Sequence, residues 1–203
     1  QNRVEWALTA GFFPLVLGGE HALTARAIRP FVTRYPDLVI VHFDAHADLR
    51  DGYLGEHFSH ASAMRRCLDA PGVQLVSLGI RNISRSEVEY VQSQGERITI
   101  FWAHEKRQWS MERIRGLIRG RKVYVSFAVD AFDSSLMPAT GTPEPGGLFW
   151  DDCLPILRMV MQESEVVGAD ITELAPVSGL HACDFLAAKL AYKILSYRFA
   201  DGG

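Results

Sequence analysis

The stretch that decides the fold is Leu38-Val39-Ile40-Val41-His42-Phe43-Asp44-Ala45-His46-Ala47-Asp48. Its almost uninterrupted apolar start is typical of a strand that is covered on both faces of a parallel sheet. At its end, ligand-type side chains occur at every second position, so Asp44, His46 and Asp48 should share one face. Two carboxylates and an imidazole are costly to bury together unless a cation lies between them. The pattern therefore predicts a divalent metal site, and the alternative is a solvated loop with an incidental histidine.

Five further apolar runs resemble this one, and stretches with helical spacing lie between them. The six predicted strands cover residues 13–18, 38–44, 73–79, 98–102, 122–127 and 165–171. The predicted helices cover residues 22–35, 59–68, 84–94, 110–119, 150–163 and 182–198. Ser84 with Glu87 has the spacing of a capping box, and Ser110 is a candidate N-cap. This alternation predicts an α/β fold with three α/β/α layers and a mostly parallel sheet, in which functional residues gather at the carboxyl ends of strands.

Two other predicted strands also end in residues that can bind a metal. One is followed by Asp130, and the other ends at Gly18-Gly19-Glu20-His21, where a helix begins. Taken alone, Asp130 could be a turn or cap residue, and His21 could be structural. Together, three strand ends supply His21, Asp130 and the residues of 44–48 to the same edge of the sheet.

Composition narrows the class of protein. The chain has 203 residues, a net charge of -3 and no long basic run, which argues against nucleic acid as a partner. No apolar stretch reaches the length needed to cross a bilayer. Three widely spaced cysteines, Cys67, Cys153 and Cys183, are expected to be buried thiols in a reducing compartment, so we expect a cytoplasmic protein. Without linkers or repeats, residues 1–203 are expected to form one domain.

With these residues in place, the sequence resembles the ureohydrolase family, which comprises arginases, agmatinases and related amidinohydrolases. The resemblance lies in segments 18–21, 43–48 and 126–133, in the loop 138–147, and in Ile171-Thr172-Glu173-Leu174-Ala175-Pro176. Segment 58–66 is more similar to agmatinases than to arginases.

The resemblance implies an arginase-like domain that holds two Mn²⁺ ions. By match to the motifs, His21 and Asp48 would bind one ion and His46 and Asp130 the other, with Asp44 bridging the two. His60 would correspond to a proton-shuttling histidine, and Glu173 to the carboxylate that orients a guanidinium group. His42, Glu56, His57, His104 and His181 receive no role in the site and are expected to be structural or surface residues.

The family also implies a small guanidino substrate and a homo-oligomer, a trimer or a hexamer. We expect agmatine as the substrate, because no set of donors for the α-carboxylate of arginine is evident. Arginine and guanidinobutyrate are alternatives, and so is a non-catalytic member of the family that serves in assembly or ligand binding.

The chain departs from the family in two ways. The motif has an aspartate where this chain has Ala128, which removes a second bridging ligand, so one metal site is expected to be weak or empty. Because the neighbours of Ala128 fit the motif, an isolated substitution, engineered or natural, is favoured over decay of the site. The second departure is length, because family members carry about two further N-terminal strands and this chain begins just before the strand that ends at His21. Either that segment lies outside the present sequence or the chain is an abbreviated homologue, and without the segment the first strand here is expected to be an exposed edge.

Overall fold

The computed structural model describes residues 2–200 and contains one six-stranded sheet in which every pairing is parallel. All six predicted strands are confirmed, with ends that differ by at most two residues. They are Leu15–Leu17 (β1), Val39–Phe43 (β2), Gln74–Ile80 (β3), Ile98–Trp102 (β4), Lys122–Ala128 (β5) and Glu165–Thr172 (β6). Their spatial order is β1-β6-β5-β2-β3-β4, so β1 is an edge strand as expected.

Eight α-helices are described over the same residues. They are Asn2–Thr9 (α1), Thr24–Ala27 (α2), Arg29–Arg34 (α3), Ala63–Cys67 (α4), Arg85–Gln94 (α5), Met111–Ile118 (α6), Trp150–Glu163 (α7) and His181–Phe199 (α8). The short 3₁₀ helices include His21–Leu23, His60–Ser62 and Val129–Ala131. Each of these three contains one candidate site residue. No helix among residues 2–200 has both the length and the apolar character required to cross a membrane.

The predicted helix 22–35 is wrong in detail, because the structure divides it into a 3₁₀ turn, α2 and α3. Pro30 lies in the first turn of α3, where its missing N–H and fixed φ suit a helix start and not a helix interior. The capping box of Ser84 and Glu87 is confirmed, and the Ser110 side chain accepts a hydrogen bond from the Arg113 N–H, as expected of an N-cap. Helix α1 was not predicted.

Helices cover both faces of the sheet, so the three-layer arrangement is confirmed. Alternate residues of β2 point to opposite sides: Val39 and Val41 pack with α6, α7 and α8, whereas Ile40 packs with α1 to α4. Both faces of this central strand are buried, which explains why its sequence is apolar at every position. Cys67, Cys153 and Cys183 are buried free thiols within these two cores, as the sequence predicts.

Gly168 in β6 is required by a close approach between the sheet and α3. A β-carbon at this position would lie 2.4 Å from Cζ of Phe31 and 3.3 Å from Cδ2 of Tyr124. Both aromatic side chains are fully buried, so neither ring can move away without disturbing the core.

We expect Gly168→Ala to lower the free energy of unfolding by about 1–3 kcal/mol, because the added methyl group overpacks this contact. The measurement is equilibrium unfolding in urea. The matched control is Gly116→Ala in α6, where a β-carbon meets no atom within 4 Å. That change should raise stability by up to about 1 kcal/mol, since alanine is the better helix former. Equal effects of the two substitutions would contradict the assignment of Gly168 to a packing contact.

Candidate metal centre

The residues singled out from the sequence meet at the carboxyl ends of β1, β2, β5 and β6. One small cavity is lined by all seven of them, together with Thr142: His21, Asp44, His46, Asp48, His60, Asp130, Thr142 and Glu173. A wider cleft of about 330 Å³ is lined by three of these seven residues, His46, Asp48 and His60, and extends past Tyr53, Asn82 and Glu144. The ends of β1, β2 and β5 therefore lie around one cavity, as the sequence indicated.

The first group of candidate ligands lies around His21. Its Nδ1 atom is 3.0 Å from Oδ2 of Asp44 and 3.0 Å from Oδ2 of Asp48. All three side chains are buried. Although the two oxygens are near, His21 Nδ1 makes no hydrogen bond of acceptable geometry to a described residue.

The second group lies around His46 and shares Asp44 with the first. His46 Nδ1 is 3.4 Å from Oδ1 of Asp44 and 3.3 Å from Oδ2 of Asp130. The two oxygens of Asp44 thus face different groups, one toward His21 and the other toward His46. This division is the one that the family resemblance implies.

The backbone of the 44–48 segment differs from the regular extended chain that the sequence pattern assumes. Strand β2 ends at Phe43, and Asp48 has φ of 55°, in the left-handed region. This turn brings Asp48 back toward His21, so the convergence does not depend on strict strand alternation. Ala45 and Ala47 are buried on the opposite side, as expected.

Burial and mutual repulsion set the charge state of these carboxyl groups. Burial and the nearby charge of Asp44 raise the pKa of Asp48 to about 8 and that of Asp130 to about 6, although His21 and His46 oppose both shifts. The pKa of Asp44 itself is also pushed up by burial, but the nearby imidazoles of His21, His42 and His46 outweigh this and hold it well below its usual range.

Burial has the opposite effect on the two imidazoles, but their acidic neighbours outweigh it. Burial lowers the pKa of His46, but hydrogen bonds and charges from Asp130 and Asp44 outweigh it and raise the value to about 11. The same balance against burial, with Asp44 and Asp48 as partners, raises the pKa of His21 well above its usual range. In the metal-free protein, therefore, protons on these side chains offset the charge of the carboxylates.

A divalent cation fits both groups. Each offers an imidazole nitrogen and carboxylate oxygens whose ligand atoms lie within 4.8 Å of one another. His21 Nδ1 faces two carboxylate oxygens without a hydrogen bond of acceptable geometry, and a cation between them would bind all three atoms once Nδ1 has lost its proton. Oxygen and imidazole donors without thiolate suit a harder divalent ion more than a soft one.

His60 and Glu173 lie at the mouth and side of this cavity. His60 Nδ1 is 3.1 Å from Oε1 of Glu20, which also accepts a hydrogen bond from the His60 backbone N–H.

Glu173 Oε1 accepts from the His21 backbone N–H at 2.5 Å, while the Glu173 N–H donates to Gly19 O. Glu173 has φ of 68°, and its placement couples the end of β6 to the Gly-Gly segment after β1. Glu20 was missed by the sequence analysis, although it precedes His21 directly.

Arg81 joins the turn that carries Asp130 to the neighbouring loop. Its guanidinium donates to six backbone oxygens: those of Gly79, Asp130, Ala131, Phe132, Glu144 and Pro145. Asp133 strengthens the same region by accepting from the N–H groups of Gly146 and Gly147. These hydrogen bonds fix the backbone on both sides of Thr142, whose hydroxyl is 3.4 Å from Asp130 Oδ2.

A buried polar row crosses the sheet directly beneath the candidate ligands. Strand register places Ser77, His42, Ser126 and Asp170 side by side on β3, β2, β5 and β6, and all four are almost fully buried. His42 bonds Ser77 through Nδ1 and Oδ2 of Asp44 through Nε2. The sequence analysis gave His42 no role in the site, because its position inside an apolar strand shows no partner.

Ala128 occupies the position next to Asp44 in this arrangement. The register pairs Phe43 with Phe127 and Ala128 with Thr172, and the Ala128 side chain is fully buried. Thr172 Oγ1 is also buried and has no hydrogen-bond partner among the described residues. The methyl group of Ala128 is therefore surrounded by atoms that include the unsatisfied hydroxyl of Thr172 and the candidate ligand Asp44.

Comparison with known proteins gives a consistent picture. The model of the arginase family matches residues 1–196. The chain is 39% identical over 192 residues to an N(1)-aminopropylagmatine ureohydrolase of Synechocystis sp., covering 92% of this chain and 61% of that protein. It is 36% identical over 179 residues to an agmatinase of Bacillus subtilis, covering 87% of this chain and 60% of that protein. The chain thus spans about three fifths of the length of these relatives.

The solved structures agree at the level of the fold. The agmatine ureohydrolase of Thermoplasma volcanium superposes with a TM-score of 0.85 at 31% identity, covering 97% of this chain and 66% of that one.

We predict that Mn²⁺ affinity falls as the pH is lowered from 8 to 6. Binding requires deprotonated ligands, and lowering the pH adds protons to Asp48 (pKa about 8) and then to Asp130 (about 6) in the metal-free protein. The dissociation constant should rise about tenfold per pH unit for each proton released.

The measurement is isothermal titration calorimetry in two buffers of different ionisation enthalpy, which counts the protons released on binding. His104→Gln serves as the control, because this exposed histidine lies outside both ligand groups. Binding that is independent of pH and of buffer would show that these groups are not the ligands.

Proposed function

This chain belongs to the arginase family, and from this premise we propose that it is a binuclear manganese amidinohydrolase that hydrolyses a C–N bond of a small guanidino compound. We propose agmatine as the substrate, with putrescine and urea as the products. The observation that carries the proposal is the pair of ligand groups that share Asp44 at one end of a parallel sheet.

Two Mn²⁺ ions are the proposed cofactors, with His21 and Asp48 binding one ion, His46 and Asp130 the other, and Asp44 bridging. Bound there, the ions would make a water molecule acidic enough to act as the nucleophile near neutral pH. The donor set supports this assignment, since it is rich in carboxylates and contains no thiolate.

Glu173 is the proposed guanidinium-binding residue. A carboxylate matches a planar guanidinium through two parallel hydrogen bonds, which fix the orientation of the substrate carbon. The support is its position, because Glu173 lines the cavity with the ligand groups and is held by the His21 N–H. This hydrogen bond to the turn that carries His21 would hold the bound substrate at a fixed position relative to the metals.

His60 is the proposed proton donor to the leaving amine. It lines both the small cavity and the wider cleft, and its partly exposed ring allows proton exchange with water. Glu20 contacts Nδ1, so Nε2 is the nitrogen left for the substrate. A histidine suits this step because it is the side chain that most often transfers protons in general acid catalysis.

The preference for agmatine rests on the relatives and on the cleft. The three relatives described above are all named for agmatine or its aminopropyl derivative, and the name of the Synechocystis protein indicates a longer substrate for that protein. Glu144 places a carboxylate in the cleft, held by the Asn82 amide at 2.6 Å. The side chain of neighbouring Arg50 pairs with Glu87, with 3.8 Å between Nε and Oε2, and lies over the ring of Tyr53. The cleft therefore presents more negative than positive charge to a substrate.

Ala128 weakens this site in our proposal. Without the second bridging carboxylate, each ion has about three protein ligands, counting Asp44 for both, and the two cations repel one another more strongly. We therefore propose that one site is weak or empty and that activity is reduced. Homo-oligomerisation as a trimer or hexamer and a cytoplasmic location complete the proposal.

The alternative is a family member without catalysis, which keeps the scaffold for assembly or ligand binding. The specific observation that favours it is Ala128 itself. Against it stands the retention of the five other candidate ligands together with His60 and Glu173 at the same cavity.

We predict that Ala128→Asp raises Mn²⁺ content to two ions per chain and brings urea release from agmatine, because the aspartate restores a ligand to both ions. It would also give the Thr172 hydroxyl an acceptor. Elemental analysis after gel filtration measures the metal, and a colorimetric urea assay measures the reaction.

Ala128→Asn is the matched control, since it has the same size without the charge, and it should bind less metal than Ala128→Asp. Two bound Mn²⁺ ions with no urea from agmatine, arginine or guanidinobutyrate would leave only the non-catalytic alternative.

In the Ala128→Asp protein, we expect Glu173→Gln to lower kcat/KM for agmatine by about 10- to 100-fold, which corresponds to the loss of one hydrogen bond to a charged group. Glutamine can still accept from the His21 N–H, so the fold should persist and the Mn²⁺ content should not change. The control is Glu56→Gln, an exposed carboxylate outside the cavity. Unchanged kinetics in the Glu173 variant would remove this residue from the proposed mechanism.

A further inference from the structure

Asp170 in β6 is a buried carboxylate without a cationic partner among the described contacts. Its side chain is inaccessible to solvent, and three hydroxyl groups donate to it. Thr24 and Tyr124 each donate to Oδ2 at 2.8 Å, and Ser126 donates to Oδ1 at 2.8 Å. Burying a charge among three hydroxyl donors, one from α2 and two from β5, is costly to arrange, and the arrangement contributes no ligand to the site.

The hydroxyl of Ser126 connects this carboxylate to the candidate metal centre. Ser126 Oγ lies 2.8 Å from Asp170 Oδ1 and 2.9 Å from His21 Nε2. A serine hydroxyl has one proton, and an ionised carboxylate can only accept. The Ser126 proton is therefore committed to Asp170, and Ser126 Oγ is left to accept a hydrogen bond from His21 Nε2–H.

This direction determines which nitrogen of His21 is available to a metal. When His21 binds a metal its imidazole is neutral and carries one proton, so a proton held at Nε2 leaves the lone pair on Nδ1. Nδ1 is the atom that faces Oδ2 of Asp44 and Oδ2 of Asp48 and has no hydrogen bond of its own.

We propose that Asp170 is a positioning residue which, through the hydroxyl of Ser126, selects the His21 tautomer with its lone pair on Nδ1 and orients that lone pair toward the metal. The inference rests on the proposed metal site. Thr24 and Tyr124 hold Oδ2, and this fixes the rotation of the carboxylate so that Oδ1 faces Ser126.

Asparagine at position 170 would remove this control. An amide can turn its NH₂ toward Ser126, and the hydroxyl would then be free to donate to His21 Nε2. That reversal favours a proton on Nδ1, in competition with the metal. Disrupting such a partner of a metal-binding histidine typically costs 10- to 100-fold in metal affinity.

The first test measures Mn²⁺ dissociation constants by calorimetry in a His46→Ala background, where only the group around His21 keeps its ligands. Asp170→Asn should weaken binding by about 10- to 100-fold. Ser126→Ala should cause a similar loss, and the two changes together should cost little more than either alone. The control for loss of a carboxylate is Asp37→Asn, an exposed residue that should leave the constant unchanged.

Two results would overturn the inference: an unchanged dissociation constant in Asp170→Asn, or losses from Asp170→Asn and Ser126→Ala that simply add. Additive losses would mean that the carboxylate acts on the site independently of the hydroxyl. Ser126→Ala breaks the same connection between Asp170 and His21 without removing a charged side chain. It therefore tests the inference even if Asp170→Asn does not fold.

The second test observes the tautomer directly. Long-range ¹H–¹⁵N spectra of histidine-labelled protein, loaded with diamagnetic Zn²⁺, should show the His21 proton on Nε2. In Asp170→Asn a fraction should shift to Nδ1 or lose the metal, whereas an unchanged Nε2–H signal would count against the proposal. Neither test uses urea release, so the failure of this inference can be distinguished from the failure of the proposed reaction.

Discussion

The repulsion among Asp44, Asp48 and Asp130 is the constraint around which the site is built. Three carboxyl groups are buried within a few ångströms of two imidazoles, and burial raises the pKa of two of them to about 8 and about 6. Such a cluster is tolerable only with protons or cations between the oxygens. The parallel sheet makes the cluster possible because its strand ends hold the ligands on a rigid edge, where they cannot relax apart.

Much of this arrangement could be predicted from the sequence. The apolar runs identified all six strands, because strands buried on both faces have no polar alternation to obscure them. Convergence of His21, Asp44, His46, Asp48 and Asp130 followed from the rule that parallel strands end at one edge. The resemblance added His60 and Glu173, and the structure places both at the same cavity.

What the sequence could not show depends on register and backbone conformation. Neighbours in the row of Ser77, His42, Ser126 and Asp170 are separated by 35 to 84 positions in the chain, and only the pairing of four strands brings them together. Each lies in an apolar run, where a single polar residue gives no indication of its partner. The positive φ of Asp48 was hidden for a similar reason, since a period-two pattern reads the same whether the chain continues extended or turns.

The hydrogen bonds of Arg81 mean that the turn bearing Asp130 and the loop bearing Glu144 behave as one mechanical unit. A loop that contacts substrate is commonly free to change length and sequence, since its neighbours do not depend on it. Here a shift of the loop backbone would pull on the carbonyl of Asp130, a proposed metal ligand. In the proposed enzyme, substrate preference can therefore change through side chains that project from the loop, while the path of its backbone is constrained by the position of Asp130.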